Sequence, residues 1–258
     1  MSTYALITGA SKGIGKSIAY ILASRKYNLL LVARSEDDLL AIKNDLVIKF
    51  DIGVEILTLD LSDPASALQV KEWVDRNSYP VSILVNNAGY GLWGEFEHLS
   101  KDQQLNMLQL NITTVVELTY YILPLLKAQK ESYILNVSST AAYQAVPTLA
   151  LYAASKAFIL SFTRALRFEL KNSSVSVSCL CPGPVNTGFA ERAGLNGLSQ
   201  VAQKFNMNPD QVAATAVKGL FNKKSEIIPG ITNMISAYGS RFFPKSLIEK
   251  IAAGIYKL

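Results

Sequence analysis

Tyr4-Ala-Leu-Ile-Thr8, then Gly9-Ala-Ser-Lys-Gly13-Ile-Gly15, then Lys16-Ser-Ile-Ala-Tyr-Ile-Leu-Ala-Ser24 read as strand, glycine loop and helix. A backbone without Cβ turns sharply and can lie against a pyrophosphate. A helix that starts beyond such a loop aims its free N–H groups and its positive end at the same phosphates. Glycine triplets also occur in ordinary tight turns. Placed between a strand and a helix at the head of the chain, this one points to a dinucleotide site.

The pattern then repeats. Short apolar runs at 28–33, 54–59, 81–85, 133–137, 175–180 and 226–228 alternate with helical periodicity at 36–50, 64–77, 101–129, 152–171 and 208–221. Such alternation predicts a three-layer, doubly wound parallel α/β sheet of about seven strands with right-handed crossovers. No repeat, low-complexity tract or linker divides the 258 residues, so a single domain over 1–258 is expected.

The second strand ends in Ala33-Arg34. In dinucleotide folds an acid at this tip accepts from the adenosine ribose and selects NAD, whereas an arginine accommodates a 2′-phosphate. Arg34, with Lys12 from the glycine loop as a second cation, predicts NADP(H).

Tyr152-Ala-Ala-Ser-Lys156 places a phenol and an ammonium one helical turn apart on one face. A free phenol titrates near ~10, and a neighbouring cation favours its ionised form. Such a pair can exchange protons near neutral pH. Ser139 lies upstream, just past the 133–137 run, at the strand end where open α/β sheets place their chemistry.

Taken together, Thr8-Gly-Ala-Ser-Lys-Gly-Ile-Gly15, Asn86-Asn-Ala-Gly89, Ser139, Tyr152-xxx-Lys156 and Pro182-Gly183 followed by Thr187 resemble the short-chain dehydrogenases/reductases, in that family's order. The resemblance spans residues 3 to about 228 and implies a Rossmann fold. It implies that Gly9, Ser11, Lys12, Gly13, Ile14 and Gly15 seat the pyrophosphate. Arg34, Asp60 and Leu61 would serve the adenosine end, and Asn87, Ala88 and Gly89 would lie under the cofactor. Tyr152, Lys156, Pro182, Gly183, Val185 and Thr187 would flank the nicotinamide. It further implies Asn111, Ser139, Tyr152 and Lys156 as the catalytic set for reversible hydride transfer between NADPH and a ketone or secondary alcohol. A 3-oxoacyl thioester or other hydrophobic carbonyl is the expected substrate class. A polar sugar or hydroxy acid, or a cofactor-binding scaffold with a regulatory role, are the alternatives. The family also implies a homodimer or homotetramer through the two long helices.

The tail at 231–258 extends past the shortest family members. It is amphipathic, broken at Pro244, and expected to pack on the protein or on a partner subunit rather than on a membrane. Residues 189–207 are polar and weakly periodic, which fits a lid over the substrate. Tyr90-Gly-Leu-Trp-Gly94 reads as a cleft rim, with Leu92 and Trp93 as apolar wall or as subunit contact.

Other classes find little support. The net charge of +5 is scattered, without a basic run, so nucleic acid is not expected. The cysteines Cys179 and Cys181 share one face of a strand and read as buried thiols. A single histidine, His98, excludes a two-histidine metal site, and no metal is expected. There is no basic leader and no apolar run of the ~18–20 residues that would span a bilayer, so a cytoplasmic protein is expected.

Overall fold

Seven parallel strands form one sheet: β1 (Tyr4–Thr8), β2 (Asn28–Ala33), β3 (Val54–Thr58), β4 (Val81–Asn86), β5 (Ser132–Val137), β6 (Val175–Leu180) and β7 (Glu226–Ile227). Their spatial order is β3-β2-β1-β4-β5-β6-β7. The computed structural model describes residues 3–189, 193, 206–239 and 244–255. The helices are α1 (Gly13–Ser24), α2 (Glu36–Phe50), α3 (Ser66–Arg76), α4 (Lys101–Leu108), α5 (Thr114–Lys127), α6 (Ala150–Glu169), α7 (Pro209–Phe221), α8 (Ile231–Gly239) and α9 (Lys245–Ile255).

The central strands are continuous apolar runs because both of their faces are covered. Alternate residues go to opposite layers. Ile7, Leu29, Leu31, Val85 and Leu135 pack with α1, α2 and α7. Leu6, Leu30, Leu84, Ile134 and Val177 pack with α3, α5 and α6. Burying one such leucine contributes about 1.5–3 kcal/mol, and truncating it to alanine costs about 2–5 kcal/mol.

Local chemistry sets the helix ends. Ser35 caps α2, whose first turn carries Glu36, Asp37 and Asp38 against the positive end of the helix. Asn208 accepts from the Asp210 amide at 2.7 Å with Pro209 in the first turn of α7. Ser17 Oγ donates to Asp210 Oδ1 at 2.6 Å and so ties α1 to α7.

Besides shifts of one or two residues at element ends, three differences from the sequence reading stand out. Helix α1 begins inside the glycine loop, at Gly13 rather than Lys16. Helix α3 begins at Ser66, beyond Pro64, because the Asp63 carboxylate accepts from the Ala65 amide at 2.8 Å and closes a turn first. The helix expected over 101–129 contains a π turn at Gln109–Thr113, closed where the Thr114 amide donates to the Gln109 carbonyl. Thr114 Oγ1, which donates to the Leu61 carbonyl at 2.7 Å, draws this turn toward the end of β3. Such π turns concentrate at functional sites. Among the described residues, no helix is long and apolar enough to cross a membrane.

Sheet order reverses between β1 and β4, so the connections leaving these strands diverge. That crevice lies at the carboxyl ends of the strands, where doubly wound sheets bind ligands. Gly9, Asn87 and Ser139 follow β1, β4 and β5 into it.

Candidate functional site

The glycine loop is held by residues just past β4. Gly9 and Gly13 have φ of 64° and 54°, a left-handed backbone that favours glycine. A Cβ on Gly15 would lie 2.4 Å from the Gly9 carbonyl oxygen and 2.5 Å from Asn87 Nδ2. Asn87 Nδ2 donates to the carbonyls of Thr8 (2.9 Å) and Gly9 (3.1 Å). In return, Thr8 Oγ1 accepts from the Asn87 and Ala88 amides at 3.0 and 3.1 Å. Helix α1 has no side-chain cap and no acid in its first turn, so its amide end is open to an anion. The loop carrying Ser11, Lys12 and Ile14 can therefore cradle a pyrophosphate, and the residues present fit a dinucleotide. Thr187 closes the cradle from the other side: its methyl carbon lies 2.6 Å from where a Gly13 Cβ would sit.

At the far end of the crevice Arg34 and Asp60 face each other at 3.9 Å, and Lys12 reaches Asp38 at 3.4 Å. All four side chains are more than one third exposed. Two cations thus stand beside the tip of β2, each weakly held by a solvated carboxylate that a phosphate could replace. The Asp60 carboxylate also accepts from Ser62, and buried Leu61 is fixed through its carbonyl by Thr114 and Ser66.

The four residues expected to carry the chemistry converge from the π turn between α4 and α5, the segment after β5, and α6. Asn111, in the π turn, donates through Nδ2 to the Tyr90 carbonyl (2.9 Å) and to Ser155 Oγ (3.2 Å), and accepts from the Tyr90 amide (3.2 Å). Ser155 Oγ donates to the Tyr152 carbonyl at 2.7 Å, so Asn111 braces the helix that carries Tyr152. Lys156 is only 5% exposed. Its Nζ donates to the Val137 carbonyl at 3.0 Å and lies 5.8 Å from the centre of the Tyr152 ring. Burial lowers its pKa from 10.5 to about 8, with Cys179 and Cys181 acting in the opposite sense. A Cβ on Gly89 would meet Asn111 Oδ1 at 2.9 Å and Lys156 Nζ at 3.3 Å, so both groups border the same stretch of backbone. Ser139 Oγ accepts from the Ala141 amide at 3.1 Å, a bond that leaves its own hydrogen to be donated elsewhere. The neighbouring Ser138 is buried and donates to the Lys156 carbonyl at 2.6 Å, a fixed structural contact.

Tyr152 has Phe189 beside it, ring centres 5.3 Å apart, and Gly91 against it, where a Cβ would lie 3.3 Å from the tyrosine ring. The rim loop is pinned by the Trp93 amide to the Ala193 carbonyl (3.0 Å) and by the Gly94 amide to the Thr148 carbonyl (2.9 Å). Leu92 and Trp93 pack with the same apolar cluster as Tyr152, which favours the cleft-wall reading. Of the lid expected at 189–207, positions 190–192 and 194–205 lie outside the described residues. Past Pro182, Val185 pairs with Met207 as a short parallel bridge. The Gly183 Cβ direction points not across the crevice but at Asn233 of α8, a contact the sequence reading missed.

Sequence reasoning also passed over a buried polar chain behind the site. Asn86 Nδ2 donates to Asn136 Oδ1 (2.9 Å), and Asn136 Nδ2 donates to Thr163 Oγ1 (3.0 Å). Cys179 on β6 and Cys181 just past it are both buried, with sulfurs 3.7 Å apart. His98 is exposed beside Glu95, remote from this constellation in its bonding.

Comparison with known proteins agrees with this geometry. A family model described as short chain dehydrogenase matches residues 3–197. Human 17-beta-hydroxysteroid dehydrogenase type 3 is 32% identical over 207 residues, 80% of this chain and 66% of the relative. A very-long-chain 3-oxoacyl-CoA reductase from Kluyveromyces lactis is 33% identical over 67% of this chain and 52% of its own length. The chain thus spans about half to two thirds of these relatives. Among solved structures, a short-chain dehydrogenase from Sphingobium yanoikuyae in complex with NADPH superposes with a TM-score of 0.82 at 28% identity, covering 93% of both chains. With the family's motifs in order on the family's sheet, the chain belongs to the short-chain dehydrogenase/reductase family of oxidoreductases.

Proposed function

We propose that this chain is an NADPH-dependent reductase of a hydrophobic ketone, a 3-oxoacyl thioester or a carbonyl of similar apolar bulk, and that it also runs the reverse oxidation. The observation that carries the reading is the setting of Tyr152. Its ring sits between Phe189 and Gly91, one helical turn from buried Lys156.

Bound NADPH would supply the hydride. Tyr152 gives its proton to the oxygen of the reduced carbonyl. Ser139, whose oxygen already accepts from Ala141, donates to the same oxygen where negative charge develops. Lys156 as an ammonium favours the phenolate left behind, and its burial strengthens that effect by excluding water. Asn111 holds the rim loop and α6 in register, and borders Lys156 where a relayed proton would pass. Arg34 and Lys12 exchange their carboxylate partners for a 2′-phosphate, which gives the preference for NADPH. Leu92, Trp93 and Phe189 offer an apolar wall, and the two sequence relatives, a hydroxysteroid dehydrogenase and a very-long-chain 3-oxoacyl-CoA reductase, support the same substrate class.

The test is turnover with NADPH against 3-oxoacyl thioesters, bulky cyclic ketones and keto-sugars, with NADH as comparison. Reduction of the apolar ketones with NADPH supports the reading. Tight NADPH binding with no carbonyl reduced would instead indicate a cofactor-binding scaffold.

A homo-oligomer through α5 and α6 belongs to the same proposal. Tyr120 on α5 is 75% exposed and Phe168 on α6 is 70% exposed, with Phe158 also exposed. These exposed aromatic side chains are available to pack against the same helices of a second copy. Sedimentation at micromolar concentration should give a dimer or tetramer, and a monomer would remove the oligomer from the reading.

A further inference from the structure

Asn233 is half-buried and belongs to no motif, yet its amide meets three segments at once. Nδ2 donates to the Pro229 carbonyl at 2.8 Å and lies 3.4 Å from Met207 Sδ. A Cβ built on Gly183 would lie 2.3 Å from Asn233 Oδ1 and 2.6 Å from its Cγ and Nδ2. A Cβ built on Gly230, whose φ is 85°, would lie 3.3 Å from the same Nδ2.

Two of these segments continue into the site. The Pro182 carbonyl accepts from the Thr140 amide at 2.9 Å, which joins Gly183 to the turn capped by Ser139. The Met207 amide donates to the Pro184 carbonyl, and the Asn186 amide donates to the Met207 carbonyl, both at 2.9 Å. Helix α8 itself packs against the 140–143 turn. A single side chain therefore abuts the Pro182–Thr187 segment and Met207, the residue bonded to it, while its helix packs on the turn that presents Ser139.

We propose that Asn233 is a positioning residue. Its amide fixes the Pro182–Thr187 segment at the distance that seats the nicotinamide, and so makes the tail helix part of the active site. This rests on the reductase reading above. It also gives Gly183 a second cause. Glycine is required there by the amide of Asn233, not by the cofactor. The colliding amide is the end of a side chain and could swing aside, but only by leaving the Pro229 carbonyl.

The test is a double-mutant cycle of Gly183→Ala and Asn233→Ala, with Asn233→Asp as the isostere that lacks the donor. Asn233→Ala and Asn233→Asp should each lower kcat roughly ten- to hundredfold, as expected for a misplaced reacting group. The Kd for NADPH should move far less, because the pyrophosphate and adenosine contacts remain, and the fluorescence of bound NADPH should change. Gly183→Ala should lower the melting temperature in the parent, and much less in the Asn233→Ala background, where the colliding atoms are gone. Unchanged kcat and unchanged NADPH fluorescence in both Asn233 variants would overturn the proposal. So would an equal effect of Gly183→Ala in the two backgrounds. The melting cycle needs no cofactor. Coupling there in a protein that never binds NADPH would keep the brace and sink the reductase reading. Lack of coupling in an active enzyme would do the reverse.

Discussion

Replacing Lys156 by methionine should stabilise the cofactor-free protein, and by an amount that depends on pH in a defined way. The lysine is 5% exposed, and burial lowers its pKa from 10.5 to about 8. The unfolded chain then binds this proton more tightly than the folded one, so protonation favours unfolding. Below about pH 8 both states are charged and the folded state bears the full cost. As pH rises from about 8 to 10.5 the folded lysine is neutral while the unfolded one is losing its proton, and the cost disappears. At about 1.4 kcal/mol per pH unit the full cost is roughly 3 kcal/mol. Methionine keeps the length of the side chain but leaves the Val137 carbonyl without the bond it has at 3.0 Å, an offset of about 1 kcal/mol that does not vary with pH. Urea unfolding of both proteins at several pH values between about 7 and 10.5 reads the difference. The variant's advantage should shrink by roughly 3 kcal/mol across that window, with pH-dependent contributions from other groups cancelling. Parallel pH profiles would refute the argument that this ammonium is held at a loss for the sake of the site.

Arg34→Ala removes the cation beside the tip of β2 and should raise the KM for NADPH about ten- to hundredfold, the worth of a charge-assisted hydrogen bond, while the KM for NADH barely moves. Equal changes would remove the 2′-phosphate contact. Gly15→Ala places a methyl 2.4 Å from the Gly9 carbonyl, a backbone atom that cannot swing away, so NADPH binding followed by fluorescence titration should be lost. Retained binding would show that the loop has room to shift. Asn111→Leu removes both side-chain bonds to the Tyr90 backbone and should cost about 1–3 kcal/mol in urea unfolding, apart from any effect on rate. A neutral effect would mean that the rim loop does not depend on it.

The layered fold was legible because its cause is local. Strands buried on both faces must be apolar throughout, and the glycine loop, β2 and α2 could be placed from residue types alone. The placement of Tyr152 and Lys156 one turn apart was legible for the same reason, since their spacing lies within one helix. What the sequence hid depends on partners distant along the chain. The π turn at Gln109–Thr113 has no composition of its own, and Thr114 pulls it toward Leu61 across 53 positions. The Asn86–Asn136–Thr163 chain and the grip of Asn87 on the glycine loop link residues that nothing local connects. Asn233 is the extreme case. It sits in an exposed-looking amphipathic tail, and only the fold brings it to Gly183. Likewise, Asp63-Pro64 has the form of a helix start, but the Asp63 carboxylate closes a turn before α3 can begin.

Replacing Tyr152 by phenylalanine removes one oxygen and leaves the ring against Phe189 and Gly91. Measured side by side, NADPH affinity should stay within a few fold of the parent, while steady-state reduction of the best apolar ketone should fall by at least about a hundredfold, the usual share of a positioned general acid. Turnover of the phenylalanine variant at a rate near that of the parent would contradict the assignment of proton transfer to this phenol.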